Sequence, residues 1–450
     1  MAEQFDLVVI GTGSAGSIPA NKCRAAGWRV AIVDERPFGG TCALRGCDPK
    51  KVLVGAADLL ERLRRMDGWG VAANGARIDW PSLMRFKRSF TDPVPEHRER
   101  AFRNKGIEVY HGSAKFLDAT TVRAGERVLR GRQVLIASGA RPRRLGIAGD
   151  DLLASSDEFL DLPDLPRRIA FAGGGFISFE FAHIAARAGA AVRILHRSAR
   201  PLAGFDPDLV KLLVESSREA GIEVYLDCPV QSIERDGPVL RLVSCAGDRR
   251  REFEADLAVH GAGREPALEP LDLAAANVAS GDRGVVVNEY LQSVSNPSVY
   301  AAGDCAATDG SALTPVAAIE GLVVAANLLN GNHRTGDYQA IPSVVFAVPP
   351  LARVGMLEHD ARSAGLRYRV QHEVTSGWYS SRRIRESVSA HKVLVEEGSD
   401  RILGAHLLGY GAEETINLFA LAMRSSMTAG ALKNTAFAYP SRTSDIVYML

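Results

Sequence analysis

Residues 5–16 read Phe-Asp-Leu-Val-Val-Ile-Gly-Thr-Gly-Ser-Ala-Gly, an apolar run of strand length that breaks into Gly11, Gly13, Ser14 and Gly16. Glycines at these spacings permit a tight turn, let backbone N–H groups approach a pyrophosphate, and allow the next helix to pack on the strand. The positive end of that helix favours the anion. A helical stretch follows, then the strand Arg29–Val33, which ends at Asp34, 23 residues after Gly11. That is near the spacing of a carboxylate that holds a ribose hydroxyl. The glycines alone are a weak signal; with strand, helix and acid in place they are a strong one.

A second fingerprint starts at Arg168-Ile-Ala-Phe-Ala and continues through Gly173-Gly-Gly175-Phe176-Ile-Ser178, with a small serine in place of the third glycine. Its helix leads to the strand Ala191–Leu195. Between the first acid and this second fold lies the string Gly39-Gly40-Thr41-Cys42-Ala-Leu-Arg-Gly-Cys47-Asp-Pro-Lys-Lys51. Two thiols beside a bound dinucleotide can store two electrons as a disulfide. The six cysteines are too few for a disulfide scaffold, and Cys42 and Cys47 are the only close pair. Cys23, Cys228, Cys245 and Cys305 read as small buried hydrophobes.

This constellation resembles the flavoprotein disulfide reductases, the family of glutathione reductase, dihydrolipoamide dehydrogenase and mercuric reductase. The resemblance extends along the whole chain. Val134-Leu-Ile-Ala-Ser138-Gly139 is similar to the strand and turn that return to the flavin domain, and Val299-Tyr-Ala-Ala-Gly303-Asp304 to the motif whose aspartate binds the ribityl chain. The run Leu313-Thr314-Pro315-Val316-Ala317-Ala-Ile-Glu-Gly321 matches the helix beneath the isoalloxazine. Ile341–Pro350 and Arg401–Gly409 resemble the family's interface domain. The fold implied is α/β, with two Rossmann-like dinucleotide-binding domains for FAD and NAD(P)H and a C-terminal α+β dimerisation domain. The boundaries expected are 1–145 and 263–335 for a split FAD domain, 146–262 for the nicotinamide domain and 336–450 for dimerisation. The length suits about three domains.

By motif position the resemblance makes Cys47 the thiol that faces the flavin and Cys42 the thiol that attacks substrate. A thiolate at neutral pH needs local positive charge or a helix dipole. Asp48, where relatives usually carry an apolar residue, either opposes thiolate formation or points to solvent. Lys51 matches the family lysine near the flavin N5, and Glu180 its ion-pair partner; a buried lysine requires one. Phe176 stands where many relatives have a tyrosine that shields the flavin. The second fold ends Ile194-Leu195-His196-Arg197-Ser-Ala-Arg200, with no acid before Asp206. Arg197 coincides with an arginine used by NADPH-dependent glutathione reductases, and Arg200 lies within reach, so NADPH is expected over NADH.

The departures bear on the substrate. Relatives end with a His-Pro-Thr-x-x-Glu motif supplied by the other subunit of the dimer, whose histidine is an acid/base for the leaving thiol. Here the aligned string is Ala438-Tyr439-Pro440-Ser441-Arg442-Thr443-Ser444-Asp445. Tyr439 replaces the histidine and Ser444 the glutamate, with Asp445 one place late. Mercuric reductases also carry tyrosine there, but they add C-terminal cysteines, and this chain has none after Cys305. Leu322 stands where glutathione reductases hold substrate with an arginine. The expectation is a homodimeric NADPH-dependent flavoenzyme that passes electrons to a small-molecule acceptor, an unidentified disulfide or sulfur species. The alternatives are a mercuric-reductase-like metal or metalloid reductase, and a redox-sensing flavoprotein with little turnover.

Composition sets the remaining bounds. With 54 basic and 53 acidic side chains, no electrostatic argument favours nucleic acid or an anionic membrane. No apolar run approaches the roughly 20 residues of a bilayer span. A strand begins almost at residue 1, which points to a cytoplasmic protein without a leader. No resident metal is expected, and the basic stretch Arg85–Lys105 reads as a solvated helix face.

Overall fold

A computed structural model describes residues 2–246 and 249–450 of the chain. They form two compact units, Met1–Lys50 with Lys87–Arg143 and Arg264–Tyr338, and Lys51–Phe86 with Arg144–Gly263 and Gln339–Leu450.

The first unit is built on parallel strands ordered Glu108–His111, Val30–Asp34, Glu3–Ile10, Arg127–Ile136 and Val299–Ala301. The first half of Arg127–Ile136 also pairs antiparallel with Thr121–Ala124. The opening strand is continuously apolar from Leu7 to Ile10 because both faces of the sheet are covered there. Leu7, Val9, Ile32 and Leu135 are buried on one face, against residues of the helices Ser14–Ala25 and Thr314–Asn330. Val8, Ile10, Val33 and Val134 are buried on the other, with Leu271 and Val285. A parallel sheet covered on both faces has no place for polar residues in its central strands. Each such aliphatic side chain contributes about 1.5–3 kcal/mol on burial.

The second unit holds a four-stranded parallel sheet ordered Ile222–Tyr225, Ala191–Leu195, Arg168–Ala172 and Leu257–His260. A three-stranded antiparallel sheet lies in the same segment, Val230–Asp236, Val239–Ala246 and Arg249–Ala255. The C-terminal part is a five-stranded antiparallel sheet ordered Ser343–Val345, Leu351–Gly355, Ile402–Leu408, Ala390–Glu396 and Tyr368–Val374. The helix Ala412–Arg424 packs on it through Ile416 and Phe419. The fold class is therefore the α/β arrangement with an α+β C-terminal part.

Two local expectations need correction. Arg85–Lys105 is two helices, Trp80–Thr91 and Val94–Asn104, and Lys87 within it is buried. Cys23, Cys228 and Cys305 are buried, whereas Cys245 is half-buried. Among the described residues no helix is long and apolar enough to cross a membrane.

Candidate functional site

In the first unit, the fingerprint occupies the carboxyl ends of the parallel strands, where doubly wound sheets bind ligands. The turn after Ile10 is forced to be glycine. Gly11 has φ +105°, and a Cβ there would lie 2.2 Å from the Ala137 carbonyl oxygen. Gly13 differs: a Cβ would meet nothing within 4 Å, so its backbone borders open space at the N-terminus of the helix Ser14–Ala25. Gly16 lies within that helix against the Gly11 carbonyl.

Asp34 ends its strand beside the turn. Its Oδ2 accepts from the Thr12 N–H at 2.9 Å and the Thr12 hydroxyl at 2.6 Å. Thr12 Oγ1 in turn accepts from the Gly39 N–H at 3.1 Å, and Gly40 sits so near the fingerprint that a Cβ would fall 2.5 Å from Gly13 Cα. These contacts bring the short helix Gly40–Arg45, with Thr41 and Cys42, beside the nucleotide turn.

Ser138 and Gly139 follow the strand Arg127–Ile136, and Gly303 and Asp304 follow Val299–Ala301. All four residues thus lie at the same sheet end. Burial pushes the Asp304 carboxyl up, an effect opposed by the Arg264 guanidinium. These residues fit FAD: an open backbone cradle at a helix N-terminus, an acid beside it, and a partly desolvated carboxylate at a neighbouring strand end.

Cys47 is the first residue of the helix Cys47–Arg65, whose positive end favours a thiolate. It is exposed, and its Sγ lies 3.6 Å from the hydroxyl of Thr314, the first residue of the helix Thr314–Asn330. Pro315, Val316 and Ala317 continue that first turn. Both cysteines are free thiols. The Cys42 thiol is pushed far up, first because its S–H is shared with Cys47, then by burial, with a smaller contribution from Asp48. Asp48 satisfies both readings of its sequence position: it is exposed, and its Oδ1 lies 3.9 Å from Cys42 Sγ.

In the second unit, Gly173 has φ +109° and Gly175 precedes the helix Phe176–Arg187. Ser178, in the place of a third glycine, packs so closely that a Cβ on Gly261 would fall 1.8 Å from its hydroxyl. The sequence reading missed Gly261, a close-approach glycine outside any fingerprint. Phe176 is 47% exposed at the start of its helix.

Lys51 and Glu180 form the expected ion pair, Nζ to Oε1 at 3.8 Å, with the Glu180 side chain only 1% exposed. Phe346 completes the group: its N–H donates to Glu180 Oε1 at 2.8 Å, and its ring centroid lies 3.5 Å from Lys51 Nζ. Nothing in the apolar run 341–350 marked Phe346 as a partner of this pair.

After the strand Ala191–Leu195, Arg197 is exposed with no carboxylate in ion-pair reach among the described residues. Arg200 donates to the Ala203 carbonyl at 2.9 Å. Burial holds His196 below its usual value, so it remains neutral between them.

The C-terminal motif is pinned to the helix Tyr379–Arg382. Asp445 accepts from the Ser380 hydroxyl, and Arg442 Nη1 donates to Ser381 Oγ at 2.8 Å. Asp445 is thus engaged by Ser380, while Tyr439 is 81% exposed. It borders a cavity of about 880 Å³ that Trp378, Tyr379 and Tyr448 also line.

Residues 5–321 match the pyridine nucleotide-disulphide oxidoreductase family, and residues 341–450 match its dimerisation domain. The chain belongs to the pyridine nucleotide-disulphide oxidoreductases. It is 33% identical to the glutathione reductase of Burkholderia cepacia over 98% of both chains. It is 29% identical to the mercuric reductase of Bacillus cereus over 97% of this chain and 69% of that protein. Its structure is similar to the Cu(II) complex of the HOCl-induced flavoprotein disulfide reductase RclA from Escherichia coli, with TM-score 0.89 and 26% identity over 100% and 99% of the two chains. The protein is an oxidoreductase of the disulfide-reductase type that uses FAD and a nicotinamide nucleotide. Among the described residues no group of three or more His, Cys, Asp or Glu is arranged to hold a metal ion.

Proposed function

We propose that this oxidoreductase, as a homodimer, takes electrons from NADPH through FAD to the Cys42/Cys47 pair and delivers them to a disulfide or related sulfur acceptor. The observation that carries this reading is the thiol pair, with exposed Cys47 at a helix N-terminus and its proton-sharing partner Cys42. FAD, when bound, supplies the two-electron relay between nicotinamide and disulfide. Gly11, Gly13, Ser14 and Gly16 hold its pyrophosphate through backbone N–H groups, and Asp34 and Asp304 take its sugar and ribityl hydroxyls. Gly40, Thr41, Ser138, Gly139, Thr314, Pro315, Val316 and Ala317 line the remainder. Gly173 and Gly175 present backbone to NADPH, Phe176 covers the nicotinamide position, and Arg197 with Arg200 holds the 2′-phosphate. Glu180 and the Phe346 ring both face the Lys51 ammonium.

The thiol chemistry balances within the chain. The Cys42 thiolate attacks one sulfur of the acceptor, which forms a mixed disulfide and expels the first thiolate. Asp48 is one acceptor within reach of the Cys42 proton. Cys47 then attacks the Cys42 sulfur, which releases the second thiolate and closes the Cys42–Cys47 disulfide. The acceptor gains two electrons and the pair loses two. Tyr439 offers an O–H to a leaving sulfur where the family has an imidazole.

Tyr439 also favours a second reading, metal or metalloid ion reduction, since mercuric reductases carry tyrosine at this place. The likeness to a mercuric reductase and to a Cu(II) complex supports it, whereas the lack of a cysteine after Cys305 weakens it. Steady-state NADPH oxidation with a panel of disulfides, persulfides, Hg(II), Cu(II) and quinones separates the two. A saturable disulfide or persulfide rate lost in Cys42→Ser supports the first; saturable turnover with a metal ion alone supports the second.

A further inference from the structure

Glu320 lies in the helix Thr314–Asn330, in the turn after the residues that line the flavin position, and is 1% exposed. A buried carboxylate requires donors, and three converge on this one. Its Oε2 accepts from the Gly303 N–H at 2.6 Å, and its Oε1 accepts from the Thr308 hydroxyl at 2.7 Å and the Tyr338 hydroxyl at 2.9 Å. Each donor comes from a different place: the strand end before Asp304, the loop beyond it, and the segment that follows the helix.

The Gly303 amide carries the functional consequence. Gly303 has φ +77°, and a Cβ there would lie 3.1 Å from the Ala15 side chain, so this turn is tightly constrained beside the fingerprint helix. Asp304 is the next residue. We infer that Glu320 is a positioning residue for FAD, a buried carboxylate that fixes the Gly303 amide, and with it the Asp304 carboxylate, in the orientation that receives the cofactor. Thr308 and Tyr338 hold Glu320 in place from outside its helix. The inference rests on the reading that Asp304 contacts the cofactor.

Electrostatics give this arrangement a signature. Burial raises the Glu320 carboxyl, and the Asp304 charge adds to the rise, while the three hydrogen bonds oppose it. Arg264 faces Asp304 from the strand Arg264–Pro266, and Tyr338, itself pushed up by burial, also faces Asp309. On acidification Glu320 therefore takes a proton above the ordinary carboxylate range. The Thr308 and Tyr338 hydroxyls can turn to accept from the neutral acid, but it is a weaker acceptor than the carboxylate for the Gly303 N–H, so FAD binding weakens as pH falls.

The test is FAD rebinding to deflavinated full-length protein, followed by quenching of flavin fluorescence between pH 5 and 8, beside far-UV circular dichroism of the apoprotein. Glu320→Gln should weaken FAD binding about tenfold or more at pH 7.5 and flatten its pH dependence, with the apoprotein spectrum unchanged. Tyr338→Phe should weaken it a few-fold and keep the pH dependence. Should Glu320→Gln fail to fold, Tyr338→Phe and Thr308→Val carry the test. Asp304→Ala is the control for the underlying reading: unaltered FAD affinity in it would remove the premise. Weakened binding in Asp304→Ala together with wild-type affinity and pH profile in Glu320→Gln would overturn the inference itself.

Discussion

Among single residues, the proposed specificity for nucleotide and acceptor rests on Arg197 and Tyr439. An exposed guanidinium with no carboxylate in reach among the described residues is available to a phosphate, and such a charge-assisted contact contributes about 1.5–3 kcal/mol. Arg197→Glu should raise the KM for NADPH by about 10–150-fold and leave NADH turnover little changed; initial rates with both nucleotides check this. A wild-type preference for NADH would show that Arg197 has no such role. Tyr439 lacks the acid/base range of an imidazole, so wild-type turnover of glutathione disulfide should fall short by the roughly 10²–10⁴-fold that general acid–base catalysis supplies. Tyr439→Phe should leave dye reduction unaffected and slow the physiological acceptor. Brisk wild-type turnover of glutathione disulfide would contradict the reading of both Tyr439 and Leu322.

At the level of elements, the helix Cys47–Arg65 brings two influences of the same sign to Cys42 from its N-terminal end. The shared S–H with Cys47 dominates, and Asp48 adds a smaller push in the same direction. In the reduced protein, the Cys42 pKa should therefore fall in Asp48→Asn and fall further in Cys47→Ser. Iodoacetamide alkylation of Cys42 at pH 7.5 should speed up in that order. A slower reaction in Asp48→Asn would mean that Asp48 helps to remove the proton more than it opposes the charge.

The same scale shows what was legible beforehand. The two fingerprints could be read because glycine spacing and strand length are local, and the φ of +105° at Gly11 belongs to its own turn, although the Ala137 carbonyl that crowds it follows a distant strand. Lys51 and Glu180 could be read as a pair only through the family resemblance. Glu320, Phe346 and Gly261 could not be read at all. The partners of Phe346 and Gly261 lie far along the chain, those of Glu320 come from a strand end, a loop and a segment outside its helix, and a glutamate in an apolar helix carries no mark of which donors will meet it. Asp445, the acid one place late in the C-terminal motif, accepts from the Ser380 hydroxyl, a partner that its sequence position did not mark.

For the whole molecule, membership in the pyridine nucleotide-disulphide oxidoreductases makes FAD and a nicotinamide nucleotide part of the working protein. Purified protein should be yellow, with close to one FAD per chain by flavin absorbance after denaturation. In the proposed function the Cys42/Cys47 pair is an electron store in series with that flavin. Anaerobic reductive titration counts the store directly. Oxidised wild-type protein should consume about two equivalents of a two-electron reductant per FAD, and Cys42→Ser and Cys47→Ser about one. A wild-type titration that ends at one equivalent, indistinguishable from the two variants, would contradict the account.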